Sequence, residues 1–161
     1  MCDYCGCREM PLLRDYIAEH ERSINHGGEA VRALDRGEYD RARELLAAMA
    51  DELRSHWRGE ENGLFAVMGS DDLFVEHIAP LVREHRELDA LLESVDLADS
   101  GDQGRVRQAV FDLYEHIDKE EDGLFPASLT ALDGEQWDAA MAAWRQAHPG
   151  ASMIGGFQPR V

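Results

Sequence analysis

HWRGEENGLF, residues 56–65, and HIDKEEDGLF, residues 116–125, share the frame His-x3-Glu-Glu-x-Gly-Leu-Phe within one chain. Residues four apart on a helix lie on one face, so the histidine and the first glutamate of each copy point the same way. These pairs are His56 with Glu60 and His116 with Glu120. The second glutamates, Glu61 and Glu121, lie about 140° from their histidines. We expect them to face solvent or to act as outer partners of the site.

Around both copies, apolar residues recur at spacings of three and four, which is typical of amphipathic helices. The sequence predicts four long helices and a short fifth one capped by Asp133, over Pro11–Leu34, Tyr39–Met68, Asp71–Val95, Gln103–Leu129 and Glu135–Ala147. Pro126 is expected to end or kink the fourth helix. Short loops between long helices favour an all-α fold, an antiparallel up-down four-helix bundle with a short C-terminal helix.

Polar side chains occupy core-facing positions in all four helical stripes. Each stripe has one such histidine and two also have a glutamate, giving the set His20, His56, Glu60, His85, His116 and Glu120. A buried, unpaired carboxylate is too costly to be left alone. Imidazole and carboxylate together suit a transition metal, whereas a buried hydrogen-bond network is the alternative interpretation.

The two halves of the chain repeat the pattern. AEHER at 18–22 resembles REHRE at 83–87, so each helix pair would contribute a histidine from its first helix and a His-x3-Glu from its second. Six ligands are more than one metal needs, which favours two. If both glutamates bridge, each metal has two imidazoles, two carboxylate oxygens and a bridging oxo or hydroxo oxygen. A sixth position could then bind O2, peroxide, NO or azide.

Composition excludes several partners. The chain has 161 residues with 16 Lys and Arg against 33 Asp and Glu, a formal charge of −17. Nucleic acid and anionic membranes would be repelled by that charge. No apolar run approaches a membrane span and the start lacks the apolar segment of a secretory signal, so we expect a cytoplasmic protein.

All three cysteines, Cys2, Cys5 and Cys7, precede the first helix and cannot join distant parts of the fold. They are one thiol short of a structural zinc site. A redox role, an intermolecular disulfide and a metal site completed by a distant histidine are open alternatives to a disordered tail. We expect three regions: the cysteine-containing segment 1–10, the bundle 11–132, and the C-terminal helix and tail 133–161. Removal of residues 1–8 should leave the metal site intact.

The repeated HxxxEExGLF frame, with a histidine on each partner helix, resembles the hemerythrin-like family of HHE cation-binding domains over residues 11–129. The resemblance implies a four-helix bundle with two non-haem iron ions, whose ligands would be the six residues named above. Oxygen-carrying hemerythrins have a His-x3-His pair on the third helix, where this chain has Leu81 and Asp89 four residues from His85. They also have His-x4-Asp on the fourth helix, where this chain has His-x3-Glu. A purely reversible oxygen carrier is therefore not implied.

The resemblance implies three functions. The first is sensing or handling of O2, NO or peroxide by binding; the second is a peroxidase-like or catalase-like enzyme; the third is an iron-responsive metal-binding protein. Manganese, zinc or a mixed pair could occupy the same ligands. Further candidate ligands are Tyr16, Glu52, Asp112 and His26, whereas His77 and His148 are placed outside the site. The sequence leaves a protein partner and the oligomeric state open.

Overall fold

In the computed structural model, residues 6–154 are described and every regular element among them is helical. The helices are α1 Leu13–Asp35, α2 Tyr39–Asn62, α3 Leu64–Met68, α4 Asp72–Ser94, α5 Ser100–Lys119, α6 Phe125–Ala131 and α7 Gly134–Ala147. A 3-10 turn precedes α1 at Cys7–Glu9, and a π turn at Glu120–Leu124 joins α5 to α6. The predicted all-α class is confirmed. Cys2 and Cys5 lie outside the described residues.

Two of the predicted long helices are interrupted. The helix predicted over Tyr39–Met68 ends at Asn62, and a short helix restarts at Leu64 after Gly63. The helix predicted over Gln103–Leu129 begins earlier, at Ser100, and passes through the π turn. Pro126 does not end it, because proline is tolerated in the first turn of the new helix α6.

Side chains fix the ends of the other helices. Asp71 caps α4 by accepting a hydrogen bond from the backbone N–H of Leu73, and Asp133 caps α7 by accepting one from Gln136. The predicted cap at Asp133 is therefore confirmed. In α1, Gly27 is helical and buried, and a Cβ atom there would lie 3.1 Å from the sulfur of Met49.

The apolar core forms two clusters along the long helices. One includes Tyr16, Phe65 and Phe125 with the α7 residue Trp144. The other includes Leu45, Leu53, Trp57 and Leu113 among its members. Helix α1 contacts α2 and α5, and α4 contacts the same two helices. Aromatic members of both clusters contact the polar core residues predicted from the sequence: Phe65 of the first and Trp57 of the second both stack on His85.

The N-terminal segment does not lie apart from the helices. Cys7 is 1% exposed and belongs to the first core cluster, and Arg8 donates a hydrogen bond to Glu121 at 2.9 Å. The interpretation of a disordered tail is therefore wrong for Cys7 and Arg8, because the apolar thiol packs in the core and the arginine pairs with a carboxylate beside the polar site. Within 6–154, no helix combines the length and apolar character that a membrane crossing requires.

Candidate metal centre

The six core-facing polar residues come together in one buried site. His20 lies on α1, His85 on α4 and His116 on α5; α2 provides two residues, and Glu120 begins the π turn. All six are at most 5% exposed. Their ligand atoms form two groups able to hold a metal ion, His20, His56, Glu60 and Glu120 in the first, and His85, His116 and Glu120 in the second.

The histidines form two pairs. The Nε2 atoms of His20 and His56 are 3.0 Å apart, and those of His85 and His116 are 3.1 Å apart. Each pair joins neighbouring helices, α1 with α2 and α4 with α5. The predicted twofold repeat of the sequence is thus present in the site.

Both core glutamates span the two histidine pairs. One oxygen of Glu60 lies 3.1 Å from Nε2 of His56, and its other oxygen lies 3.7 Å from Nε2 of His85. One oxygen of Glu120 lies 3.0 Å from Nε2 of His20, and the other lies 2.9 Å from Nε2 of His116. Each carboxylate therefore presents one oxygen to each pair, as a carboxylate that bridges two cations does.

The oxygens of these two carboxylates are unsatisfied. Both oxygens of Glu60 and both of Glu120 are buried and receive no hydrogen bond of normal geometry. Burial and the charge of Glu120 raise the pKa of Glu60 well above its usual range. Burial also opposes the charge of Glu120, but His116 and the other histidines hold the pKa of Glu120 well below its usual range. Two adjacent buried carboxylates fit a site for positive charge, because a bound cation would compensate both.

Each histidine is oriented by a second carboxylate. The Nδ1 atoms lie 2.7–2.9 Å from carboxylate oxygens, with the partners His20–Glu121, His56–Glu19, His85–Glu61 and His116–Glu84. An ionised carboxylate only accepts hydrogen bonds, so Nδ1 carries the hydrogen and Nε2 presents its lone pair to the centre. Within each histidine pair, the two Nε2 lone pairs face each other and repel unless a proton or a metal ion lies between them. This is the arrangement in which outer carboxylates fix metal-binding histidines.

The outer carboxylates link the helices of the site in a closed ring. Glu19 on α1 orients His56 on α2, and Glu61 on α2 orients His85 on α4. Glu84 on α4 orients His116 on α5, and Glu121 in the π turn orients His20 on α1, which closes the ring. Each one also contacts a basic side chain, in the pairs Glu19–His148, Glu61–Arg86, Glu84–Lys119 and Glu121–Arg8. The ring therefore couples the orientation of every imidazole to a neighbouring helix.

Residues of the carboxylate ring and of the histidine pairs have shifted pKa values. Burial opposes the charged form of Glu19, but hydrogen bonds from His148 and His56 outweigh it and lower the pKa of Glu19 to about 2. For His116, burial lowers the pKa, yet interactions with Glu120 and Glu84 outweigh this effect and raise it. The site thus stabilises positive charge at its centre and negative charge at its rim.

Sequence reasoning missed part of this ring. Glu19 and Glu84 were not singled out, although each precedes a site histidine in the matching stretches AEHER and REHRE. That shared Glu-His was the available signal. His148 is excluded in the sequence analysis because a partial positive charge at the end of the fifth helix suits the helix dipole. Its contact with Glu19 spans 129 residues of chain, so no local pattern indicates it.

The additional candidate ligands lie outside the two groups. Glu52 pairs with Arg22 at the surface, and Asp112 accepts a hydrogen bond from Gln108 at 2.7 Å. Tyr16 is fully buried beside His56, with ring centroids 5.2 Å apart, and its hydroxyl has no hydrogen-bond partner. The Nδ1 atom of His26 is also buried without a partner, and His77 is exposed on α4.

A cleft of about 310 Å³ lies between α4 and α5 and reaches the second histidine pair. Its walls include Leu88, Ala109 and Leu113, and its inner end includes His85 and His116. The first histidine pair does not line it. The site is therefore approached from the surface on one side.

Comparison with known families agrees with this geometry. The family model described as Hemerythrin HHE cation binding domain matches residues 12–128. The chain belongs to this hemerythrin family of cation-binding domains. No curated protein and no solved structure matches the chain significantly. The match ends before α7, so the α7 residues that contact the site lie outside the matched segment.

Proposed function

We propose that this protein holds two iron ions in the buried site and uses them to sense or handle O2, NO or peroxide in the cytoplasm. The ligands would be His20, His56, Glu60, His85, His116 and Glu120. A bound iron pair would supply reversible redox chemistry and an open coordination position for a small ligand. Family membership supports cation binding, and the identity of the cation and of the ligand is our proposal.

The observation that carries the proposal is the unsatisfied state of the two core carboxylates. The four buried carboxylate oxygens lie among four imidazole Nε2 atoms, three of the oxygens within 3.1 Å of one. They receive no hydrogen bond from these atoms, because the outer carboxylates hold the imidazole hydrogens on Nδ1. A hydrogen-bond network, the alternative interpretation, would satisfy those oxygens, because buried polar groups almost always have partners. Imidazole and carboxylate in this ratio match the donors that iron accepts.

The chain's own residues would prepare the site for small ligands. The outer carboxylates hold the imidazoles with Nε2 inward, and each core carboxylate reaches both halves. Aromatic rings stack on two of the imidazoles, Phe125 on His20 and Phe65 on His85, with centroids 5.9 and 5.8 Å apart. These rings exclude water from the carboxylates and strengthen their attraction for a cation.

We further propose that α1, α2, α4 and α5 form the antiparallel up-down bundle expected from the sequence, over residues 11–132. Support comes from the contacts of α1 with α2 and α5, and of α4 with the same two helices. A closed set of four neighbours of this kind is what a four-helix bundle requires. Each helix then brings its histidine to the common interior.

The first test is metal content per chain with an absorption spectrum of the freshly purified protein. About two iron ions per chain with an oxo-to-iron band in the near ultraviolet is the expected result. Spectral changes that reverse between air and argon would support sensing or handling, whereas many turnovers of peroxide would assign an enzyme instead. Failure of anaerobic reconstitution to load any metal would overturn the proposal.

A further inference from the structure

Helix α7 packs on the C-terminal end of α2, where Gly63 leaves no room for a side chain. A Cβ atom at Gly63 would lie 3.0 Å from the carbonyl oxygen of Ala140 and 3.0 Å from the Cβ of Ala143. One turn earlier, a Cβ atom at Gly59 would lie 3.6 Å from the Cα of Trp144. Close approach at these glycines brings the C-terminal end of α7 over the turn that precedes Glu60.

Two side chains at that end of α7 reach the outer carboxylate of the first histidine pair. The indole N–H of Trp144 donates to Glu19 at 3.2 Å, and Nε2 of His148 contacts the same carboxylate oxygen. The two rings stack, with centroids 4.2 Å apart. The Nδ1–H of His148 donates to the carbonyl oxygen of Trp144 at 2.7 Å, which fixes the imidazole in place.

Glu19 depends on these contacts more than the other outer carboxylates depend on theirs. Glu19 is only 1% exposed, so water cannot replace a hydrogen-bond partner that its carboxylate loses. The side chains of Glu61, Glu84 and Glu121 are 18%, 32% and 14% exposed, and each pairs with an arginine or a lysine. Among the described residues, Glu19 is the ring carboxylate that is bound by α7.

We propose that Trp144 and His148 are positioning residues of the metal centre, which hold Glu19 so that Glu19 in turn holds His56 with Nε2 towards the cation. The inference rests on the proposed function for its metal, and Trp144 and His148 lie beyond the family match. One oxygen of Glu19 binds Nδ1 of His56 at 2.8 Å while the other is occupied by the α7 groups. Without those groups the buried carboxylate would turn away from its present position, and the imidazole would lose its fixed orientation.

The test compares metal release from the loaded full-length protein into a chelator. Trp144→Phe with His148→Ala keeps an aromatic ring but removes both contacts to Glu19, and we expect release about 10- to 100-fold faster than from the wild type. Trp144→Phe with His148→Gln keeps an amide donor and should restore much of the retention. Trp137→Phe, on the same helix but without a contact to Glu19, should release metal at the wild-type rate.

A second measurement uses the metal-free protein. Nitrogen NMR should find His56 with its hydrogen on Nδ1 in the wild type, and a mixture of tautomers in the Trp144→Phe, His148→Ala variant. Wild-type release together with an unchanged His56 tautomer would overturn the inference. If the wild type binds no metal, the proposed function fails, whereas the tautomer still decides whether α7 positions His56.

Discussion

The two halves of the centre have the same inner residues and different surroundings. Behind the His20 and His56 pair lies Glu19, buried and bound by α7. Behind the His85 and His116 pair lies the cleft between α4 and α5, with the Glu84 side chain 32% exposed on its wall. A duplicated ligand pattern can therefore give one closed and one open side, because the accessory elements around it are not duplicated.

The same contrast appears in the backbone of the repeated motif. In the first copy the helix breaks at Gly63, and the break lets α7 approach α2 closely. In the second copy the corresponding Gly123 lies inside a π turn, and a Cβ atom added there would meet no neighbouring atom within 4 Å. Identical residues at His, Glu, Glu, Gly, Leu and Phe thus support two backbone paths.

Ligand removal should have the largest effect. We expect His56→Ala and His116→Ala each to lose at least one of the two metal ions, because each removes one imidazole from a buried donor set. Metal analysis after purification in parallel with the wild type measures this. His77→Ala is the matched control, since this histidine is exposed and lies outside the site.

If His56→Ala, His116→Ala and His77→Ala all kept the metal content of the wild type, the two histidine pairs would not be the metal ligands. If only one of the two variants His56→Ala and His116→Ala lost metal, the two halves of the centre would not be equivalent metal sites. The second outcome would sharpen the comparison, since a metal confined to the closed half would assign the open half to another task.

Acid should destabilise the closed half more than the open half in the metal-free protein. The pKa of Glu19 is lowered to about 2, so its contribution is present above its ordinary pKa of 4.5 and is lost as pH falls towards 2. The shift corresponds to at most about 3 kcal/mol of the free energy of unfolding. We expect Glu19→Gln to flatten the fall in stability between these pH values, measured by urea unfolding.

Glu84→Gln provides the matched substitution on the open side. The pKa of Glu84 is also lowered, because hydrogen bonds from Lys119 and His116 outweigh burial, but its side chain is partly exposed. Solvent screens such a pair, so its contribution should be smaller. A larger effect from Glu84→Gln than from Glu19→Gln would contradict the assignment of the closed and open sides.

The two motif glycines should respond differently to alanine. A Cβ atom at Gly63 would lie 2.7 Å from the carbonyl oxygen of Gly59 and 3.0 Å from that of Ala140, both backbone atoms. We expect Gly63→Ala to cost about 1–3 kcal/mol of stability through overpacking, measured by thermal and urea unfolding. Gly123→Ala meets no neighbouring atom and should be neutral or stabilising by up to about 1 kcal/mol. Similar losses from both would show that α7 does not require the break.

Much of the site could be predicted from the sequence because it rests on helical spacing. His56 with Glu60, and the core stripe containing His85, follow from residues three and four apart on one face. Placing His20 opposite them requires only that the helices pack. Periodic patterns of this kind report which side chains face inward, so the six inner residues are brought together as expected.

The remaining features depend on contacts that no local pattern reports. His148 reaches Glu19 only because α7 returns across α2, and Arg8 reaches Glu121 from beyond the start of α1. The break at Gly63 and the π turn at Glu120–Leu124 arise from two copies of one motif. The shared residues do not distinguish these two backbone paths, and Pro126, which follows the second copy where Ala66 follows the first, is one local difference between them. Sequence periodicity therefore predicts the inner residues better than the elements that support them.

The smallest effect on structure, and the most direct test of the open side, should come from filling the cleft. Ala109 lines the cleft between α4 and α5 and is partly buried. We expect Ala109→Trp to keep its metal and to slow the association of azide, followed by stopped-flow absorption. The reason is that the larger ring occupies the space through which a small anion reaches His85 and His116.

Ala47→Trp adds the same ring to an exposed position on α2 and should leave the azide rate unchanged. If Ala109→Trp also binds azide at the wild-type rate, small ligands reach the centre by another route, and the cleft would not be what distinguishes the halves. If the rate falls while the equilibrium affinity stays the same, the cleft controls access alone. The α7 side of the centre would then be the side that retains metal, and the α4–α5 side would be the side that admits ligands.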